Sequence, residues 1–151
     1  KAPAIEGAKE IDATGQWIMP GLIDIHAHYD AELEVMPGLE ESVRHGVTTV
    51  VIGNCSLSAA LGKDTEIVDL FARVENIPAK TLSHWMLGNI KWKTVTEYYE
   101  HLDAVPVGPN IASFLGHSNL RMHVMGLERS FTEKNASEEE LKKWKQSPKK
   151  Q

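Results

Sequence analysis

The segment Val47-Thr48-Thr49-Val50-Val51-Ile52, framed by Gly46 and Gly53, constrains the fold of this chain more than any other feature. Branching at Cβ narrows χ1 and favours extended backbone over helix. A strand so continuously apolar leaves no face for water, and such strands are typical of parallel sheets covered on both sides. Helical patterns surround it. Residues 40–45 predict a short helix, with Gly46 placed as a C-terminal cap glycine. Residues 64–75 predict an amphipathic helix carrying Ile67, Leu70, Phe71 and Val74 at helical spacing, with Pro78 beyond its end. Thr94-Val95-Thr96-Glu97 is a capping box that opens a helix to about Ala104, and Ser137-Glu138-Glu139-Glu140 opens another of about three turns. Turns are predicted at residues 13–16 and at Pro20-Gly21. Further strands are predicted at residues 17–19, 22–28 and 110–117. Strands and helices therefore alternate, which argues for βα units on a parallel sheet, an α/β fold.

The formal net charge of −5 disfavours nucleic acid as a partner, because phosphate recognition needs a basic footprint. No apolar run approaches the roughly 18–20 residues that cross a bilayer, so no membrane span is expected. No secretory signal pattern opens the chain. The single cysteine cannot form an internal disulfide, and a reducing, cytoplasmic setting is the simpler expectation.

His26 and His28 lie two apart on the predicted strand 22–28, on the same parity as Asp24. A period of two puts both imidazoles on one face, with Cα atoms roughly 6.6 Å apart. Rings at that spacing can lean toward one ion at Zn–N distances of about 2.0–2.1 Å. Cys55 ends the following strand. In a parallel βα arrangement reactive groups gather at the C-terminal ends of the strands, so the three side chains are expected at one rim. Two imidazoles and a thiolate suit zinc, and coordination would hold the thiol deprotonated. The alternatives are an incidental histidine pair and a buried structural thiol.

Ile18-Met19-Pro20-Gly21-Leu22-Ile23-Asp24-Ile25-His26-Ala27-His28 resembles the start of the barrel in the amidohydrolase superfamily. His28-Tyr29-Asp30-Ala31 and Gly46-Val47-Thr48-Thr49-Val50-Val51-Ile52-Gly53-Asn54-Cys55 are similar to its N-acyl-D-amino-acid deacylase (D-aminoacylase) branch. Phe114-Leu115-Gly116-His117-Ser118-Asn119-Leu120-Arg121, followed by Val124-Met125-Gly126, is a third match. The resemblance implies part of a (β/α)8 TIM-type barrel, its first three βα units over residues 18–151, with a remnant of a small β-domain over residues 1–17. It implies zinc, held by His26, His28 and Cys55, with Asp30, Asn54 and His117 as orienting candidates. For Asn54 a turn-shaping role, for Asp30 a solvated loop and for His117 packing at the mouth of the site are the plainer alternatives. His45, His84, His101 and His123 lack ligand spacing to anything and are expected to be surface or core residues.

The implied reaction is hydrolysis of a non-peptide amide in a small N-acyl amino acid, with water activated by the metal as nucleophile. No catalytic acid–base residue is expected within the chain. The family's aspartate, and two further metal histidines, are expected beyond residue 151, which makes this the front piece of a longer enzyme. Ala27 stands where threonine is common and Ser56 where glycine is common. Three other readings remain: a cyclic-amide amidohydrolase of dihydropyrimidinase or hydantoinase type, a non-catalytic piece, and a cysteine-nucleophile hydrolase built on Cys55.

Overall fold

In the computed structural model, which describes residues 6–146, strand β2 (Val47–Ile52) lies between β1 (Leu22–Asp24) and β3 (Asn110–Ser113), and both pairings are parallel. The β-branched run forms the strand over its full length. Around the sheet run α1 (Asp30–Leu33), α2 (Glu40–Arg44), α3 (Asp64–Val74), α4 (Ala79–Met86), α5 (Val95–Ala104), α6 (His117–Met125), α7 (Leu127–Thr132) and α8 (Glu138–Gln146). This is an α/β fold on a small parallel sheet.

The local start and stop signals hold where they are self-contained. The Thr94 hydroxyl accepts the Glu97 N–H while the Glu97 carboxylate accepts the Thr94 N–H. Ser137 and Glu140 exchange the same reciprocal bonds at α8. Gly46 follows α2 with φ 87°, as a cap glycine should. The turn at residues 13–16 closes through the Gln16 N–H on the Ala13 carbonyl.

Several boundaries differ from expectation. Residues 17–19 form no strand and are exposed. Strand β1 stops at Asp24 instead of running to His28, because the register slips between Leu22 and Ile23 and the Asp24 carboxylate then accepts the His26 N–H. Strand β3 stops at Ser113, and His117 begins α6 instead of ending a strand. Pro78 lies beyond the end of α3, as expected, and is also the N-cap of α4. Helices α1, α4, α6 and α7 were not anticipated.

Two apolar clusters lock the layers. One joins Ile67, Val68 and Phe71 of α3 to Leu82 and Met86 of α4 and to Trp92 and Tyr98. The other puts Val50 and Ile52 of β2 against Ala27, Leu33 and Leu39. Beyond the regular ladder, the Ala27 N–H donates to the Val51 carbonyl and the Phe114 N–H to the Ile52 carbonyl. The C-terminal end of β2 therefore anchors both neighbouring segments.

The structure leaves Trp17, Ile18, Ile23, Ile25 and Phe114 exposed. Its accessible surface is 10499 Å², against roughly 7,700 Å² expected for a closed monomer of this mass. Among the described residues no helix is long and apolar enough to cross a membrane.

Gly53 has φ 78°, and a Cβ there would collide with the backbone of Phe114. Gly53→Ala is expected to cost roughly 2–4 kcal/mol, from the left-handed backbone and the forced separation of the two segments. Urea unfolding of the two proteins measures it, and equal midpoints would contradict the close approach.

Candidate metal centre

The chain reaches the site from two sides of the β2 terminus. After β1 the backbone turns on Asp24 and continues through His26, Ala27 and His28. Only the backbone of Ala27 stays bonded to β2. After β2 the Asn54 amide donates to the Val51 carbonyl at 2.8 Å and closes a turn. Asn54 is thus a turn former. Cys55 and Ser56 then take left-handed backbone, with φ 51° and 64°. That region is unfavourable for non-glycine residues, by about 1–3 kcal/mol each.

The turn brings the expected trio together. His26 Nε2 lies 2.9 Å from Cys55 Sγ. The His26 and His28 rings stand with centroids 5.3 Å apart and planes at 62°. One donor atom from each of His26, His28 and Cys55 falls within 4.8 Å of the other two. Among the described residues this is the only such histidine, cysteine or carboxylate group placed to hold a metal ion. Ligands of a tetrahedral zinc stand roughly 3.3–3.8 Å apart, given Zn–S of about 2.3 Å and Zn–N of about 2.0–2.1 Å. The His26–Cys55 contact is shorter than that range, the 4.8 Å limit on the trio admits it, and the donor set is one that zinc favours.

The support beneath the trio is buried. Asp30 is 2% exposed, not a solvated loop carboxylate. Its Oδ1 accepts the Ala59 N–H at 2.8 Å and the Tyr98 hydroxyl at 3.2 Å. The Trp92 indole donates to the Ala59 carbonyl at 2.8 Å. Asn119, fully buried, accepts the Ser58 N–H and donates to the Leu61 carbonyl. The Ser118 N–H donates to the Ser56 carbonyl at 2.8 Å. Gly116 makes that approach possible, since a Cβ there would come within 2.6 Å of the Ser56 carbonyl. The loop carrying Cys55 is thereby fastened to α1, α5 and α6.

His28 is partly buried, and its Nδ1 lies 3.9 Å from Glu75 Oε1 at the end of α3. Desolvation, and then the charge of His26, lower the His28 pKa. Desolvation, with Asp30 and Glu32 nearby, raises that of Glu75. Burial pushes the Asp30 carboxyl up to about 6 against the pull of its hydrogen bonds. Glu75 was not singled out in the sequence, where it reads only as the polar end of an amphipathic helix.

His117 begins α6 and is exposed, and its ring packs on Trp144 at 5.0 Å. Its neighbours Gly116, Ser118 and Asn119 carry the structural role in that motif. His101 pairs with Glu34 at 2.8 Å and stacks on Trp92, as a half-buried structural histidine. A groove of about 680 Å³ along β2, β3 and α5 shares no residue with the trio.

Residues 9–147 match the amidohydrolase family. An uncharacterized protein of Mycobacterium tuberculosis is 52% identical over 120 residues, which is 80% of this chain and 20% of that protein. A dihydroorotase of Streptococcus pneumoniae is 33% identical over 68% of this chain and 26% of its own length. The crystal structure of a D-aminoacylase superposes with a TM-score of 0.59 at 34% identity, over 82% of this chain and 23% of that one. That of N-acyl-D-glutamate deacylase from Bordetella bronchiseptica, bound to zinc and a phosphonate inhibitor, superposes at 0.58 and 26% identity, over 85% and 24%. The chain thus spans about a fifth to a quarter of the length of these relatives.

The folded state holds the Asp30 proton more tightly than an unfolded chain with the ordinary value of 3.8. Stability from this group is therefore full below about pH 4 and is lost as pH rises through about 6. Asp30→Asn keeps an acceptor without the charge. Relative to wild type, its unfolding free energy should climb by roughly 3 kcal/mol between pH 3.5 and 7.5. Parallel stability curves would rule the buried carboxyl out as their cause.

Proposed function

The chain belongs to the amidohydrolase family, and on that premise we propose that it forms the front of a zinc-dependent deacylase of N-acyl-D-amino acids, with His26, His28 and Cys55 as metal ligands. The observation that carries this reading is the convergence of a thiol and two imidazoles within 4.8 Å, with Cys55 held on left-handed backbone. The similarity to D-aminoacylase and to a zinc-bound N-acyl-D-glutamate deacylase supports it. On this reading residues 18–151 contribute the first three βα units of a TIM-type barrel. The remaining ligands and the general-base aspartate then come from sequence after residue 151.

The donor set fits zinc. When bound, zinc supplies Lewis acidity toward an amide carbonyl and acidifies water toward neutrality. The chain's own residues do the rest. In the metal-free protein His26 Nε2 and Cys55 Sγ lie 2.9 Å apart, within hydrogen-bond reach, so each orients the other toward the same point. His26 and Cys55 are exposed, which leaves their donors open to an arriving small substrate. Asp30 and Asn119 hold the loop that carries Cys55 and touch no substrate.

The same 2.9 Å contact favours one other reading, a cysteine nucleophile activated by His26. His28 has no task in it. A cyclic-amide hydrolase is the nearer competitor, and the dihydroorotase similarity gives it weight. A thiol in the metal site argues for the linear-amide branch, by its resemblance to the D-aminoacylase motif.

In the full-length protein, His26→Ala, His28→Ala and Cys55→Ala should each lower bound zinc. Each should also reduce release of free D-amino acid from N-acetyl-D-glutamate or N-acetyl-D-methionine by at least about 100-fold. A chelator should abolish turnover and added zinc restore it, with the L-enantiomers inert. Activity that survives chelation and dies on thiol alkylation would transfer the assignment to the cysteine nucleophile. Turnover confined to a cyclic amide would transfer it to the cyclic-amide branch. The isolated 151-residue chain should show no turnover.

A further inference from the structure

Three buried side-chain atoms among the described residues lack a hydrogen-bond partner: His28 Nδ1, Asp30 Oδ2 and Glu75 Oε1. Leaving such a group unsatisfied costs about 1–3 kcal/mol, so two of them within reach of each other call for an explanation. His28 Nδ1 and Glu75 Oε1 are 3.9 Å apart, one able to donate and the other to accept. The span exceeds a direct hydrogen bond and suits one bridging water or a small side-chain adjustment.

Glu75 is placed for this by the fold. It is the C-cap residue of α3, with its N–H on the Phe71 carbonyl, and Phe71 is fully buried in the core. The carboxylate is therefore carried by a rigid helix end and not by a loop. Neutral imidazole exists as two tautomers, and only one presents an N–H at Nδ1. A carboxylate facing Nδ1 selects that tautomer and leaves the Nε2 lone pair for an ion.

We propose that Glu75 is a positioning residue for the metal centre: it receives the Nδ1–H of His28, directly or through one water, and so fixes the ring with Nε2 toward His26 and Cys55. The inference rests on the metal-centre reading above and deepens it. Glu75 touches neither metal nor substrate; it acts through His28.

The test uses zinc alone as probe, with the full-length protein and a competing chelator to set affinity. Glu75→Ala should weaken zinc binding by about 10–100-fold while the thermal midpoint stays near wild type. Glu75→Gln, which keeps an acceptor oxygen, should recover most of the loss. In metal-free protein with ¹⁵N-labelled histidine, His28 should be the Nδ1–H tautomer in wild type and Glu75→Gln, and a mixture in Glu75→Ala. A merely structural role would not move the tautomer. Zinc affinity in Glu75→Ala within twofold of wild type, or an Nε2–H tautomer in wild type, overturns the proposal. His28→Ala separates the two levels. If it weakens zinc binding and Glu75→Ala does not, only the Glu75 role falls; if it leaves zinc binding unchanged, the metal-centre reading falls and this inference with it.

Discussion

Two successive non-glycine residues in left-handed backbone, Cys55 and Ser56, are the constraint around which the rest of the site is arranged. Together they cost about 2–6 kcal/mol relative to relaxed backbone. What opposes that cost is a set of hydrogen bonds onto the following residues. The Ser118 N–H reaches the Ser56 carbonyl, Asn119 ties Ser58 and Leu61, Asp30 accepts from Ala59, and Trp92 donates to Ala59. Five bonds at about 1 kcal/mol each are of the same size as the strain. The left-handed turn puts Sγ beside His26 Nε2.

This arrangement divides the polar residues into two groups. His26 and Cys55 are exposed and offer donor atoms. Asp30, Ser58 and Asn119 are buried and offer none to solvent. A buried carboxyl is costly unless satisfied, and Asp30 is only half satisfied, with Oδ1 doubly bonded and Oδ2 without a partner. Replacing such a residue with an apolar one would relieve the desolvation and release the Ala59 end of the loop. Its presence is therefore explained by the loop it holds rather than by its own contribution to stability.

How much of this was legible in the sequence follows from how far each signal reaches. The β-branched run of β2, the capping boxes at Thr94 and Ser137, and Gly46 after α2 depend on neighbours within a few residues, and all were read correctly. The ends of β1 and β3 depend on distant partners. Residues 114–117 read as a continuing strand because Phe114 and Leu115 prolong an apolar run. Helix α6 begins at His117 because Gly116 packs on the Ser56 carbonyl, a contact between segments some sixty residues apart. Pro78 fits both a helix stop and the residue before a helix start, and only the packing of Leu82 and Met86 onto α3 decides. The period of a strand through His28 predicts His26, His28 and Cys55 at one rim, whereas β1 ends at Asp24. The structure reaches the same convergence through a turn on Asp24. Glu75 had no signal at all, since a polar residue at the end of an amphipathic helix is the ordinary case.

The exposed apolar side chains bear on the chemistry as well as on the fold. Ile25 is 72% exposed and directly precedes His26; Phe114 is 58% exposed and its backbone closes on Gly53. Both flank the trio, and in the described structure both face water. Charges in water interact at about 1 kcal/mol across 4 Å, and several-fold more strongly once solvent is excluded. Covering Ile25 and Phe114 would thus do two things at once. It would bury apolar surface at about 25 cal/mol per Å², and it would lower the local dielectric around His26, His28 and Cys55.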